Sequence, residues 1–123
     1  MKGLLLTFIL NLSLVLGFSA TASVDKNRCT IDDIISFKIE FENADSFSNI
    51  DISSLIKDFT VVSGPSQQTS MQWINGKVTN SKIMSWSLSP KREGRLVIPR
   101  LNVQISGKKS VTKEIVVFVG KSQ

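Results

Sequence analysis

Regular alternation of apolar and polar side chains is the clearest pattern in the chain. It is most regular over residues 35–41, where large apolar residues are separated by single polar ones. A period of two residues is typical of a β-strand that buries one face. We therefore predict a strand here whose inward face carries Ile35, Phe37, Ile39 and Phe41.

An Asn75-Gly76 pair predicts a β-hairpin in the middle of the chain. Asn-Gly is the preferred pair for a type I′ turn, because both central residues of that turn need positive φ. A two-residue turn places Trp73 opposite Val78 and Ile74 opposite Lys77. By alternation, one face of the ribbon then carries a set of apolar side chains: Met71, Trp73, Val78, Met84, Trp86 and Leu88.

The tip of this hairpin is the candidate interaction site. Asn80 and Lys82 interrupt the apolar face between tip and base, so we expect the base to lie in a core and the tip to project beyond it. An exposed aromatic side chain is a common anchor for a partner. The candidate residues are Trp73, Ile74, Asn75, Gly76 and Val78. The alternative, which the sequence slightly favours, is that the ribbon folds down and buries Trp73.

The remaining segments predict further strands separated by turns. These strands are expected over residues 23–28, 59–62, 96–98, 101–105 and 111–119, with a single helical turn over residues 52–57. We expect Asp51 to cap that turn, and Gly64-Pro65 to end the strand that begins at Phe59. The last strand is apolar on both faces, so either neighbouring strands or another domain or chain must cover its second face.

This number of strands predicts the fold class. Seven or eight strands in about 100 residues indicate an all-β, immunoglobulin-like antiparallel β-sandwich. The chain has one cysteine, so packing must hold the sandwich without a disulfide. Trp86 is the candidate core tryptophan. Cys29 is expected to be a small buried hydrophobe rather than a reactive thiol.

Residues 1–22 predict a secretory signal peptide in front of the fold. Lys2 supplies a positive start, residues 4–18 form a mostly apolar run, and Ala20–Ala22 offers a cleavage site with small residues. Secretion across the inner membrane would place the domain in the periplasm or cell envelope. The alternative is that the apolar run remains as an uncleaved membrane anchor. The expected boundaries are 1–22 for the signal peptide, 23–120 for the β-domain and 121–123 for a tail, the linker to a missing domain.

Composition excludes most enzyme chemistry. The chain has no histidine and a single cysteine, which leaves no Ser-His-Asp or Cys-His site. Glu40 and Glu42 share a strand face about 7 Å apart, but their alternation with phenylalanine indicates the solvated face of a half-buried strand. Five aspartates are expected to serve turns and caps rather than calcium: Asp25, Asp32, Asp33, Asp45 and Asp51. We expect no catalytic residue, no metal site and no cofactor.

The basic charge of the chain is scattered. Lys and Arg number 15 against 10 Asp and Glu, a formal net charge of +5. No aromatic ladder accompanies these charges, as a single-strand binder would require, so we expect no nucleic-acid partner. Most of the charges are expected to be solvated strand and loop faces. The alternative is contact with an acidic partner or an anionic envelope surface.

Several segments, in this order and spacing, resemble the first domain of BatD-type oxygen-tolerance proteins. They are residues 24–28, 59–70, 74–77, 86–94 and 98–99. The most specific are a Gly-Pro-Ser-Gln segment, the Asn-Gly hairpin and a Pro-Lys-x-Glu-Gly turn. The resemblance implies an exported, membrane-anchored bacterial protein built from such β-domains. It also implies genes for MoxR-type ATPases and von Willebrand A-domain partners nearby, and a part in aerotolerance or envelope stress.

Residues and resemblance together predict a non-catalytic scaffold or protein-protein interaction module. Its partners would be envelope proteins, including the von Willebrand A-domain proteins encoded with MoxR-type ATPases. Membrane association would come only from a missing C-terminal anchor or an uncleaved signal. The alternative function is binding of an anionic glycan or lipid headgroup by a basic β-sandwich, and this binding should weaken as ionic strength rises.

Overall fold

The computed structural model describes residues 20–42, 50–105 and 108–122. Strands dominate these ranges, and the predicted all-β, immunoglobulin-like fold is confirmed. The elements are β1 (Ala20–Val24), β2 (Arg28–Thr30), β3 (Ile35–Glu42), a 3₁₀ helix (Ser53–Lys57), β4 (Phe59–Ile74), β5 (Lys77–Pro90), β6 (Gly94–Ile98), β7 (Asn102–Ile105), β8 (Lys108–Val111) and β9 (Ile115–Gly120).

Two larger sheets and one hairpin are built from these strands. The first sheet has the order β1-β3-β5-β4, with every neighbouring pair antiparallel. The second has the order β2-β9-β6, in which β2 runs parallel to β9 and β6 antiparallel to it. Strands β7 and β8 pair with each other. The parallel pair is a departure from the fully antiparallel sandwich that the sequence predicts.

The segment predicted as the first strand divides between the two sheets. Asp25 turns the chain: its Oδ1 accepts a hydrogen bond from the Ser36 N–H at 2.9 Å, and its own N–H donates to the Ser36 carbonyl at 3.1 Å. β1 begins at Ala20, inside the predicted signal peptide. Cleavage after Ala22 would therefore shorten β1, and the cleavage site stays a prediction.

The predicted last strand is also two strands, β8 and β9. Between them Thr112 is buried, and its N–H donates to the Leu101 carbonyl at 2.9 Å. The Leu101 N–H donates in return to the Thr112 Oγ1, also at 2.9 Å. This pair of hydrogen bonds holds the chain out of a continuous strand, which the sequence pattern alone does not reveal. The described residues thus contain nine strands rather than seven or eight.

The core lies between the two sheets, and the predicted inward face of β3 supplies its largest part. Ile35, Phe37, Ile39 and Phe41 are fully buried, as predicted. The Trp86 ring is stacked on the Phe37 ring with centroids 5.6 Å apart. The other buried apolar residues are Leu55, Phe59, Leu88, Leu96, Ile98, Leu101, Val103, Val117 and Val119.

Strand β4 does not end at Gly64-Pro65, and the prediction that it would is wrong. The strand runs on to Ile74, with register shifts between Val61 and Ser63 and between Ser63 and Ser66. These shifts form a bulge that takes up Pro65, which has no N–H to donate to the ladder. The bulge also needs Gly64, whose φ of 113° is unfavourable for other residues.

The predicted helical turn is a 3₁₀ helix whose end is fixed by a buried carboxylate. The N-cap position is occupied by Ile52, and no side chain makes a capping hydrogen bond there, so Asp51 is not the cap that the sequence predicts. Its Oδ1 accepts a hydrogen bond from the Ser53 N–H at 2.9 Å, one position before the cap. At the other end Asp58 is 7% exposed. Its Oδ1 accepts from the Arg92 Nη1 at 2.6 Å and its Oδ2 from the Val97 N–H at 3.0 Å. Asp58 therefore joins the helix to the β5–β6 turn and to the edge of β6.

Protonation of Asp58 should weaken the fold. The Arg92 guanidinium, and next the Val97 N–H, hold the pKa of this carboxyl below its usual range. A lowered folded-state pKa stabilises the fold above the unfolded-state value of about 3.9, and this stabilisation is lost as pH falls through the folded value. We expect Asp58→Asn to lower the free energy of unfolding by about 1–3 kcal/mol at pH 7. Below about pH 4 the free energies of unfolding of Asp58→Asn and the parent should become more similar, because Asp58 becomes protonated in the parent as the pH falls.

Chemical denaturation of both proteins between pH 2 and 7 measures this effect. Arg92→Gln is the matched variant, because it removes the charged donor and leaves the Val97 hydrogen bond in place. Arg92→Gln should also lower the free energy of unfolding at pH 7. The double variant should lose less than the sum of the two single losses, because both substitutions remove the same ion pair. Parallel stability curves for parent and Asp58→Asn across the whole pH range would contradict the assignment.

Candidate interaction surface

The β4–β5 hairpin turns as the sequence predicts. Asn75 has a φ of 52° and Gly76 a φ of 77°, the positive values that a type I′ turn requires. Trp73 pairs with Val78, and Ile74 pairs with Lys77. The Asn75-Gly76 pair was enough to predict the pairing of β4 with β5, because a two-residue turn determines the register locally.

The tip of this hairpin projects beyond the sandwich. β3 ends at Glu42, opposite Ser81 of β5, and Ser81 in turn pairs with Ser70 of β4. Past this row, the described residues of the ribbon belong to β4 and β5 alone, and at about 3.3 Å per residue these strands extend roughly 13 Å further. Strands β6 and β9 of the second sheet have five and six residues, whereas β4 and β5 have 16 and 14.

Four large apolar side chains at the tip are exposed to solvent. Trp73 is 75% exposed, Met71 63%, Ile74 52% and Val78 44%. The alternative that the ribbon folds down and buries Trp73 is therefore wrong. Trp73, Met71 and Val78 share the face that continues the core side of the first sheet, and Ile74 lies on the opposite face. Trp73 and Val78 thus form an apolar surface with Met71, while Ile74 lies on the other face and Asn75-Gly76 form the turn. These residues together are called the hairpin tip below.

The outward face of the first sheet holds the two glutamates considered above. Glu42 is exposed and Glu40 half-buried, and both line a shallow depression with Ile74 and Thr79. Among the described residues no group of three or more His, Cys, Asp or Glu side chains could hold a metal ion. The depression therefore adds polar groups beside the hairpin tip and offers no metal centre within the described ranges.

Of the five aspartates considered for calcium, Asp33 and Asp51 accept hydrogen bonds within local turns, as predicted. Asp33 Oδ2 accepts from the Thr30 N–H at 2.8 Å, and Asp51 Oδ1 accepts from the Ser53 N–H. Asp25 instead accepts from the Ser36 N–H, eleven positions along the chain in β3. These hydrogen bonds to backbone N–H groups lower the pKa of Asp33 and of Asp51. Asp45 lies outside the described residues.

Strand β9 of the other sheet also leaves an aromatic side chain partly exposed to solvent. Val117 and Val119 are buried, but Phe118 on the other face is 44% exposed. The Arg28 guanidinium lies over the Phe118 ring, 5.2 Å from its centroid, a cation–π geometry. The sequence left two alternatives for this face: coverage by neighbouring strands, or by another domain or chain. Within the described residues, neighbouring strands do not cover it fully. Arg95 borders the same shallow depression as Arg28 and Phe118.

Cys29 is less buried than expected. It is half-buried in β2 and packs against the edge of the core. Burial, and next the Asp33 carboxylate, raise the pKa of its thiol. A raised pKa reduces the thiolate fraction at neutral pH, and the thiolate is the reactive form. This agrees with the expected structural role of Cys29 rather than with a redox role.

The fold and this surface define an immunoglobulin-like β-domain with a projecting apolar hairpin. A family model described as "BatD DUF11 like domain" matches residues 22–119. The chain therefore belongs to the BatD family, and the resemblance seen in the sequence is confirmed. No curated protein and no solved structure matches the chain.

Two further findings concern the membrane. The BatD family is typically associated with the cell envelope. Within residues 20–42, 50–105 and 108–122, no helix is long and apolar enough to cross a bilayer. The apolar run at residues 4–18 lies outside the described residues, so the signal peptide stays a prediction.

Proposed function

We propose that this domain is an exported, non-catalytic interaction module that docks onto another envelope protein through the hairpin tip. The observation that carries the proposal is the exposure of Trp73 beside Met71 and Val78 on one face of a projecting ribbon. Single exposed apolar residues are common on protein surfaces, but several adjacent ones usually mark an interaction site. Tryptophan is also among the residues that contribute most to binding when they enter a pocket.

The hairpin tip is suited to a partner that offers an apolar pocket. The type I′ turn and the pairing of β4 with β5 fix the backbone around Trp73, so little conformational entropy is lost on binding. Strand β4 carries no charged residue between Phe59 and Ile74. Binding at this surface should therefore depend weakly on salt, in contrast to binding through the basic side chains.

The partner we propose is a von Willebrand A-domain protein of the envelope or a sister β-domain protein. Membership of the BatD family supports this choice. The role in aerotolerance or envelope stress that the resemblance implies belongs to the same proposal. Secretion to the periplasm, through the predicted signal peptide, is required for both.

Substitution of Trp73 tests the docking proposal. Trp73→Ala should weaken capture of a von Willebrand A-domain partner from the same bacterium at least about 30-fold, the effect of removing a binding hot spot. Its thermal midpoint should remain close to that of the parent, because the side chain is 75% exposed. Surface plasmon resonance on the exported chain and thermal denaturation measure the two quantities.

Phe118→Ala is the matched control, because Phe118 is an exposed aromatic residue on the other sheet. Capture should be retained in this variant. Equal capture by parent and Trp73→Ala would mean that the hairpin tip is not the docking surface. A large fall in the thermal midpoint of Trp73→Ala would instead make Trp73 part of the fold.

A second candidate is binding of an anionic glycan or lipid headgroup. It is favoured by Arg28 and Arg95, which border one depression beside the exposed Phe118. Binding of this kind should fall steeply as salt rises from about 50 to 500 mM, because screening shortens the reach of the charges. It should also survive Trp73→Ala. The two candidates therefore respond in opposite ways to salt and to the same substitution.

A further inference from the structure

Strand β4 presents a long unpaired edge. Within the described residues it has a neighbour on one side only, β5, because β4 is the last strand of the first sheet. From Ser66 to Ile74 its register with β5 is continuous, and every residue of this stretch is exposed except Ser70, which is half-buried. The opposite edge of the sheet, β1, has only five residues.

The hairpin turn determines which backbone groups of β4 are unpaired. The residues that flank a two-residue turn form a hydrogen-bonded pair, so Ile74 directs its N–H and C=O at β5. Alternation then directs Ser70 and Gln72 at β5 as well, and the Gln72 carbonyl does face it, accepting from the Thr79 Oγ1 at 3.5 Å. The backbone groups that point away from β5 belong to Gln67, Thr69, Met71 and Trp73.

This edge lacks the usual protection against pairing. Soluble proteins commonly place lysine or other charges, proline or bulges along exposed edge strands, because an open ladder of N–H and C=O groups pairs readily with another strand. Residues 66–74 contain neither a charged residue nor a proline. The bulge at residues 63–66 and the turn at residues 75–76 bound the edge on its two sides. Nine consecutive residues are therefore available for a ladder.

We propose that β4 pairs antiparallel with β4 of a second copy of this chain, about a two-fold axis at Ser70. This register places Ser66 opposite Ile74, Gln67 opposite Trp73, Gln68 opposite Gln72 and Thr69 opposite Met71, with Ser70 opposite its own equivalent. The outward backbone groups of each strand then meet those of the other, and the two four-stranded sheets become one of eight strands. The proposal goes beyond the docking function and does not depend on it.

The choice of a second copy rests on the length and charge of the edge. A two-fold axis at Ser70 uses every residue between the bulge and the turn, since this residue is the midpoint of the stretch 66–74. In such a pairing residues close to the axis lie near their own equivalents, so a charged residue there would face a like charge. The stretch carries no charge, although the whole chain has a formal net charge of +5. A monomer would be better protected from unwanted pairing if this edge carried charges. The lack of charge is therefore consistent with an edge that pairs.

Disulfide trapping tests the axis directly. Ser70 directs its backbone at β5, so Ser70 and its equivalent form a non-hydrogen-bonded pair, with Cα atoms about 4.5 Å apart. This separation is within the range of a disulfide. In a Cys29→Val background, Ser70→Cys in the exported full chain should therefore form a covalent dimer under mild oxidation. Gln72→Cys is the matched control: it lies on the same face of the same strand, but about 13 Å from its equivalent.

Cross-linking of Ser70→Cys at least ten times faster than of Gln72→Cys is the expected result. Equal rates would overturn the register, and the absence of a cross-link in both variants would overturn the dimer. Thr69→Pro provides an independent measurement, because its N–H points away from β5 and proline there removes no hydrogen bond within the chain. By sedimentation equilibrium it should weaken the dimer at least tenfold while folding as the parent does. A monomeric parent at all concentrations, or a dimer unaffected by Thr69→Pro, would contradict the proposal.

Discussion

Trp86→Ala is expected to lower the free energy of unfolding by about 3–5 kcal/mol, the cost of truncating a buried tryptophan. Trp86 is 3% exposed, and its ring stacks on Phe37, which is fully buried. Both residues lie opposite each other on paired strands β3 and β5, at the centre of the first sheet. The cavity left by alanine would open in the buried core beside Phe37.

Trp73→Ala is the matched control for this loss. The two tryptophans belong to one hairpin and share one of its faces, but Trp73 is 75% exposed and Trp86 is buried. The free energy of unfolding of Trp73→Ala should therefore differ from the parent by about 0.5 kcal/mol or less. Urea denaturation of the three proteins measures both values. Similar losses for the two variants would mean that the hairpin tip packs against the domain in solution.

These two residues also show how far the sequence pattern reaches. Alternation around the Asn75-Gly76 turn correctly assigned Trp73 and Trp86 to one face, because strand period and turn geometry are local properties. Burial along that face is not local. Asn80 and Lys82 interrupt the apolar face and indicate that the tip projects, but they do not determine whether the ribbon folds back onto the other sheet. The sequence therefore identified the residues of the candidate surface, but it slightly favoured a buried Trp73, whereas Trp73 is exposed.

Asp58 illustrates a residue that sequence reasoning missed. It precedes Phe59 in a segment with no charge pattern of its own, and its partner Arg92 is 34 positions further along the chain. Only the packing of the 3₁₀ helix against the β5–β6 turn brings the two groups together. The Pro-Lys-x-Glu-Gly turn of the family resemblance surrounds Arg92, which gives that motif a structural role in this chain.

The Gly-Pro-Ser-Gln motif of the same resemblance has its own structural role, at the bulge of β4. A Cβ atom on Gly64 would lie 2.8 Å from the Ser85 carbonyl oxygen, 2.9 Å from the Trp86 Cα and 3.0 Å from the Trp86 Cδ1. Two of these three atoms are backbone atoms of β5, which cannot move without disturbing the ladder between β4 and β5. The absence of a side chain at Gly64 is therefore what lets the bulge pack against the core tryptophan.

Gly64→Ala is accordingly expected to lower the free energy of unfolding by about 3–5 kcal/mol, from backbone strain at positive φ together with overpacking. Gly94→Ala separates the two contributions. Gly94 has a φ of 110°, close to the 113° of Gly64, but nothing lies within 4 Å of its Cβ position. Its loss should be only the strain, about 1–2 kcal/mol. Urea denaturation of the two variants gives the difference, which is the energetic cost of crowding against β5. If both variants lose the same amount, the close approach of Gly64 to Trp86 contributes nothing, and positive φ alone explains the glycine of the motif.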